Sequence, residues 1–207
     1  MNNTVFIPTI SDLYQLSIKD YKLGCNILGE AFRDDPIWSK IMEEQPDKFN
    51  TVFGVPLKYC LRFGKVFAPS RDLEGLAAWI GSPYTNMSIW RLIISGAFIP
   101  SFQLGVNIGQ KIFQVFSVIE KDRKEFMKEA YVYLYVIGVH PSKQGQGIGT
   151  KLIRSMLEIL PKHIPIYLET ETQDNVKFYE KLGFEILNEI KVPLFDLPMW
   201  EMISNRE

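Results

Sequence analysis

Residues 130–160, AYVYLYVIGVHPSKQGQGIGTKLIRSMLEIL, decide the fold. The opening run alternates: Tyr131, Tyr133, Tyr135, Ile137 and Val139 fall on one face, and Val132, Leu134 and Val136 on the other. A strand apolar on both faces belongs in the middle of a sheet that is covered on both sides. Pro141 to Gly147 breaks the run. A helix is expected next, from about Gly147 to Leu160, with Ile148, Leu152, Ile153, Met156, Leu157, Ile159 and Leu160 as a wide buried stripe and Pro161 as its limit. Between strand and helix lies Gln144-Gly145-Gln146-Gly147-Ile148-Gly149. Three glycines let a backbone approach a ligand closely, and successive N–H groups at a helix start attract an anion. Thr150 adds a hydroxyl donor, and Lys143 or Lys151 a positive charge. The implied guest is a phosphate or pyrophosphate.

Working outward, residues 165–170 read as a short strand and Asp174 as the N-cap of a helix reaching Leu182, stopped by Gly183. Residues 184–191 and 197–203 form a final antiparallel pair, in which Pro193 and Pro198 call for an edge or a bulge. On the other side, 19–32 carries a helical apolar face that ends before Asp34-Asp35-Pro36. A short helix from Ile37 to Met42 and a third within 47–63 follow, then strands at 64–69 and 73–81. Residues 82–129 are rich in Trp, Phe, Ile and Leu and read as two or three helices joining the halves. The layout is α/β.

Composition narrows the class. The 207 residues are 46% hydrophobic and 23% charged with a formal net charge of −1, which excludes general disorder and gives no overall electrostatic footprint for a nucleic acid or an anionic membrane. Cys25 and Cys60 are too few for a disulfide framework, and His140 and His163 have no partnered spacing for a metal. No signal-peptide pattern or membrane span is read, so the expectation is a cytoplasmic protein. The loop is not a Walker loop, because Gly149-Thr150-Lys151 lacks the Gly-Lys-Ser/Thr close. Its Gly-x-Gly-x-Gly spacing also differs from the dinucleotide fingerprint, although Glu169 stands 20 residues after Gly149 where a ribose-binding acid would lie.

Gln144-x-x-Gly147-x-Gly149 directly after a central strand resembles the signature of the GCN5-related N-acetyltransferases (GNAT). Val139 and Pro141 also fit, and Asn175-Val-Lys-Phe-Tyr179-Glu-Lys-Leu-Gly-Phe184 is similar to the family's second block. The resemblance is specific over 131–187 and weaker over 20–81, where Ala31-Phe32-x-x-Asp35-Pro36-x-Trp38 is similar to the opening of many members. It implies one acetyltransferase domain over 1–207, with a donor-binding core at about 130–191 and an unusually long helical connection at 82–129. The implied sheet is mixed, mostly antiparallel, flanked by helices, and splayed between the strands at 131–139 and 165–170.

The resemblance further implies acetyl-CoA as cosubstrate, no metal, and a small amine acceptor acetylated by direct transfer in a ternary complex. Gln144, Gly145, Gln146, Gly147, Ile148, Gly149 and Thr150 would hold the pyrophosphate, and Ile137, Gly138 and Val139 would line the pantetheine arm. A main-chain N–H near Val139 would polarise the thioester carbonyl. Tyr179, a phenol of pKa roughly 10, fits protonation of the departing thiolate. Asn175, four residues earlier on the same helical face, would hold the donor. Glu169 is the expected base, with Glu171 and His140 as poorer candidates. Asp35 and Trp38 are expected on the acceptor side, with Asp34, Trp79 and Trp90 as further cation-attracting or stacking groups. Neither nucleic acid nor membrane is an expected partner, and monomer and homodimer stay open. The competing reading is a non-catalytic acyl-CoA sensor or interaction module on the same fold.

Overall fold

The computed structural model describes residues 5–204. In chain order the strands are β1 (Tyr14–Gln15), β2 (Lys65–Ala68), β3 (Gly75–Gly81), β4 (Val132–Val139), β5 (Ile166–Thr170), β6 (Phe184–Val192) and β7 (Leu197–Ser204). The helices are α1 (Tyr21–Ala31), α2 (Pro36–Met42), α3 (Phe49–Val52), α4 (Gly54–Phe63), α5 (Ile89–Ser95), α6 (Phe98–Leu104), α7 (Val106–Phe126), α8 (Ile148–Ile159) and α9 (Gln173–Glu180). The strands form one sheet in the order β1-β2-β3-β4-β5-β7-β6. Every neighbouring pair is antiparallel except β4–β5, which gives the mixed, mostly antiparallel sheet that was expected.

The parallel pair is short. Only Val132↔Ile166 and Tyr133↔Tyr167 are in register. Beyond them β4 continues to Val139 bonded to β3, while β5 continues to Thr170 bonded to β7. The sheet therefore opens into a cleft between β4 and β5.

Strand β4 departs from plain alternation. Ala78 pairs with Val136 but Trp79 pairs with Leu134, so Tyr135 is an extra residue in a β-bulge. Tyr133, Tyr135 and Val136 all pack toward one core, and Ile137 is moved to the opposite one. This corrects the expected face of Ile137: alternation held only up to the bulge. The bulge also moves main-chain groups. His140 donates its N–H to Glu74 beside β3, so alternation turns the N–H groups of Ile137 and Val139 toward the cleft.

The first core, under α1, α2, α3, α4 and α7, includes Leu28, Ile41, Phe53, Leu57, Ile119 and Tyr167. The second, under α8 and α9, includes Leu152, Ile153, Met156, Val176 and Phe184. Helix α8 buries a narrower stripe than its sequence promised. Ile159 is exposed, while Ser155 is buried with its hydroxyl on Asp12 at 3.1 Å. The helix expected within 47–63 is divided into a 3₁₀ turn (Pro46–Lys48), α3 and α4. The N-cap of α9 is Thr172, whose side chain accepts from Asn175 N–H at 3.3 Å, and Asp174 lies inside the first turn. Pro198 pairs with Lys191 beyond the last β5 partner, Trp200, so it sits where β7 is locally an edge. Cys25 and Cys60 are buried free thiols.

The 82–129 connection is α5, α6 and α7, after a 3₁₀ turn at Ser82–Tyr84. Its inner face buries Leu104, Ile108, Val115, Ile119 and Arg123, while Trp90 (71%), Phe102 (78%) and Phe113 (72%) are largely exposed. No helix among the described residues is long and apolar enough to cross a membrane.

Candidate active site

The loop from 141 to 147 lies on the surface at one end of the cleft. A 3₁₀ turn (Pro141–Lys143) begins it, with the His140 ring accepting from Ser142 N–H. Gly145 and Gly147 then take φ of +75° and +78°, the left-handed region that glycine enters without strain. Gly147 is the N-cap of α8, and a Cβ built there meets nothing within 4 Å. Among the described residues the main-chain N–H groups of 145–150 have no main-chain acceptor. That is a row of free donors at a helix start with open space in front, and it fits the pyrophosphate of an acyl-CoA donor. The exposed Gln144 folds its side chain back on the strand, Nε2 donating to Val139 O at 3.2 Å, which ties the loop to the end of β4. Gly138 has a packing reason instead. A Cβ there would meet Ala31 and Leu28 of α1 at 2.9 Å, so only its main chain is available to a donor.

The cleft opens into a cavity of about 460 Å³. One end is polar, lined by Glu169, Thr170, Glu171, Asn175, Tyr179 and Arg123. The remaining wall is mostly apolar: Phe32, Trp38 and Phe53 from the first helices, and Leu92, Leu104, Ile112, Phe113 and Phe116 from the connection. Trp38 and Phe116 have ring centroids 5.7 Å apart, so the two segments meet across this wall.

Glu169 sits at the last paired part of β5, its side chain 8% exposed. Its Oε2 accepts from Tyr133 Oη at 2.6 Å, and its Oε1 lies 3.7 Å from the Arg123 guanidinium. That second contact is an ion pair without a hydrogen bond, and Oε1 has no hydrogen-bond partner among the described residues. Burial pushes the carboxyl up to about 7, against the lowering influence of Arg123 and the Tyr133 hydroxyl. Glu171, at the same end, is raised by burial and then by Asp35 and Glu169.

Tyr179 is held on α9 between Phe178 and Phe184, with ring centroids at 5.2 and 5.6 Å. Burial first, and the Glu171 carboxylate second, raise its phenol above the usual range. It therefore keeps its proton at neutral pH.

The structure brings Glu169, Asn175, Tyr179, Ile137 and Trp38 to one cavity. Asp35 stands apart from its lining: its Oδ1 accepts from Ile37 N–H at 3.0 Å and Trp38 N–H at 2.9 Å, so it caps α2 and thereby sets Trp38 in place. Trp79 is fully buried, Trp90 is on the outer surface, and His140 serves the loop turn; none lines the cavity. Arg123, Tyr133, Phe32 and Phe53 were not foreseen as site residues. For Arg123 there was a signal, because it continues the apolar spacing Val115, Ile119 along α7, where a charge needs a buried partner. Among the described residues no group of three His, Cys, Asp or Glu is placed to hold a metal.

A splayed mixed sheet with a glycine loop of free N–H donors at one end and a buried acid and phenol in the cleft defines an acyl-CoA-dependent acyltransferase. Sequence comparison agrees. Residues 108–186 match the acetyltransferase (GNAT) domain family, and that match takes in most of α7. An uncharacterized N-acetyltransferase of Schizosaccharomyces pombe is 31% identical over 180 residues, covering 82% of this chain and 72% of that protein. The chain belongs to the GNAT family: it is an acetyltransferase, and its acetyl donor is acetyl-CoA. Two solved structures share the fold at low identity. A histone acetyltransferase and related acetyltransferase from Corynebacterium glutamicum has a TM-score of 0.65 at 17% identity, over 94% of this chain and 96% of that one. An arylalkylamine N-acetyltransferase from Aedes aegypti has a TM-score of 0.64 at 16%, over 94% and 98%.

Proposed function

We propose that this protein acetylates a small primary amine that carries one cationic centre on an apolar body, by direct transfer from acetyl-CoA within a ternary complex. The observation that carries the reading is the single cavity that joins an acid and a phenol at one end to an apolar wall at the other. The whole chain acts as one acetyltransferase unit in this reading, with the donor held by the 130–191 segment. An aromatic or branched apolar amine gains by burial against Trp38, Phe113 and Phe116, whereas the second charge of a polyamine would meet a mostly apolar wall whose carboxylate, Glu120, is already paired with Lys124 at 2.6 Å. The arylalkylamine acceptors of the mosquito relative are of the first kind.

The loop N–H groups of 145–150, Thr150 and Asn175 hold the donor. The cleft-facing N–H of Val139 stabilises charge developing on the thioester oxygen, while Ile137 and Gly138 on the same strand line the pantetheine arm. As the amine nitrogen bonds to the acetyl carbon, Glu169 takes the proton from nitrogen, directly or through one water. As the carbon–sulfur bond breaks, Tyr179 protonates the thiolate. A carboxyl near 7 and a phenol that keeps its proton give the two groups the protonation states that this sequence of steps needs at neutral pH.

Coenzyme A release with acetyl-CoA and a panel of amines tests the reading. Saturable turnover of 2-phenylethylamine or a branched alkylamine, with spermidine and free amino acids far poorer, is the expected result. Tight donor binding with no amine-dependent release would instead identify an acyl-CoA sensor.

A further inference from the structure

We propose that Arg123, from α7 of the connection, is a positioning residue for Glu169, so that the connecting segment completes the catalytic carboxylate as well as walling the acceptor cavity. The inference rests on the reading of Glu169 as the base. Four observations carry it. The Arg123 guanidinium lies 3.7 Å from Glu169 Oε1, and both side chains are under a tenth exposed. It stacks 4.7 Å over the ring of Tyr133, the tyrosine whose hydroxyl donates to Glu169 Oε2 at 2.6 Å. Its Nη2 donates to Thr85 O at 3.2 Å, and the Thr85 hydroxyl is 2.9 Å from Tyr131 Oη. Finally, Arg123 Nε and Glu169 Oε1 are both buried without hydrogen-bond partners among the described residues, and both residues line the cavity.

This is an unusual way to use an arginine for stability. A buried pair built only to hold the fold would close into a bidentate fork, with each donor and acceptor satisfied. Here one carboxylate oxygen is fixed by Tyr133 and the other is approached by a charge but left open to receive a proton. The arginine is itself fixed from two sides, by the Thr85 carbonyl and by the Tyr133 face. A Lys could place a point charge here but not a planar group stacked on a ring while reaching a carbonyl.

The groups facing Glu169 come from every element around it: Arg123 from α7, Tyr133 and Tyr135 from β4, Tyr167 from β5, Glu201 from β7, and Glu171 just past β5. Arg123 supplies the positive charge in this set and lowers the Glu169 carboxyl, while Glu201 and burial raise it. Removing Arg123 therefore moves the Glu169 midpoint upward, and a base that must be ionised loses activity from the acid side first.

The test is a pH titration of the Glu169 carboxyl by NMR in glutamate-labelled full-length protein, assigned by the signal missing in Glu169→Gln. It is paired with pH–rate profiles for acetyl-CoA and 2-phenylethylamine. Arg123→Met is expected to raise the Glu169 midpoint by roughly 1–3 pH units and to carry the acid limb of kcat/KM with it. The loss at neutral pH should fall mainly in kcat, with donor affinity unchanged. Arg123→Lys, which keeps the charge and spares the fold if the Met variant does not express, should restore the midpoint most of the way but not the rate. A midpoint unmoved or lowered in Arg123→Met would overturn the assignment, and so, if only Arg123→Lys folds, would a Lys variant with the wild-type kcat. If Glu169→Gln keeps full turnover, the base reading fails separately, and the titration still decides whether Arg123 governs this carboxylate.

Discussion

The 144–150 loop and the 82–129 connection both border the proposed site, and they are built on opposite principles. The loop is exposed, polar and glycine-rich, and it presents main-chain N–H groups. The connection is apolar and presents side chains: Leu92, Leu104, Phe113 and Phe116 toward the cavity, Trp90 and Phe102 toward the outside. Recognition through the backbone demands particular conformations, such as the left-handed Gly145 and Gly147, and so leaves a spaced pattern in the sequence. Recognition through apolar walls demands only volume and hydrophobicity, which many sequences satisfy. The two meet at Glu169 and Tyr179, and variants of each region sharpen or break the contrast.

The largest effect is expected where the regions meet. Tyr179→Phe keeps the ring between Phe178 and Phe184 and removes only the hydroxyl. Turnover at saturating acetyl-CoA should fall by roughly 10²–10⁴-fold while coenzyme A binding by calorimetry is unchanged. Unaltered single-turnover acetylation would remove Tyr179 from the proton path.

Glu169→Gln should cost about 10²-fold, at the low end because water can replace part of a base. Its more diagnostic effect is on pH. The wild-type kcat/KM should fall below a midpoint of about 7, since the carboxyl raised to that value must be ionised to act. The variant should lose that limb. A wild-type acid limb at the ordinary carboxyl value near 4.3 would contradict the buried environment described for Glu169.

A smaller effect separates donor from acceptor. Gly147→Val places a branched side chain at φ +78° and into the open space before the helix start. Coenzyme A affinity should drop by roughly tenfold or more, since the close approach of the N–H row is blocked. Gly147→Ala, with less bulk at the same φ, should fall between. The smallest change is expected from Phe113→Ala, at the exposed lip of the cavity. It should raise the KM of an apolar amine by roughly 3–10-fold with kcat and donor affinity kept, the signature of lost uniform binding.

These predictions follow the line between what was legible in the sequence and what was not. The β4–loop–α8 unit and the glycine row could be read from spacing, because each needs a residue type at a fixed place, whereas the roles expected of Glu169 and Tyr179 came from the family resemblance. The β4 bulge could not be read. Strict alternation through 131–139 put Ile137 with the tyrosines, and only the pairing with β3 shows where the extra residue, Tyr135, is absorbed. Asp35 looked like a ligand for a cation, yet its acid serves the first N–H groups of α2, a role that the following Pro36 already advertised. The spacing of Val115, Ile119 and Arg123 marks Arg123 as buried but not its partner, because Glu169 is distant in sequence and reaches it only after α7 docks under the sheet.

The division of labour itself is open to one direct measurement. Amide hydrogen exchange can be followed in the protein alone, with coenzyme A, and with coenzyme A plus 2-phenylethylamine. Coenzyme A should add protection at 137–150 and leave the connection unchanged, and the amine should then add protection within 86–118 and around Trp38. Protection by the amine confined to other segments, with 86–118 exchanging as before, would show that the connection is packing alone and that the acceptor site lies elsewhere.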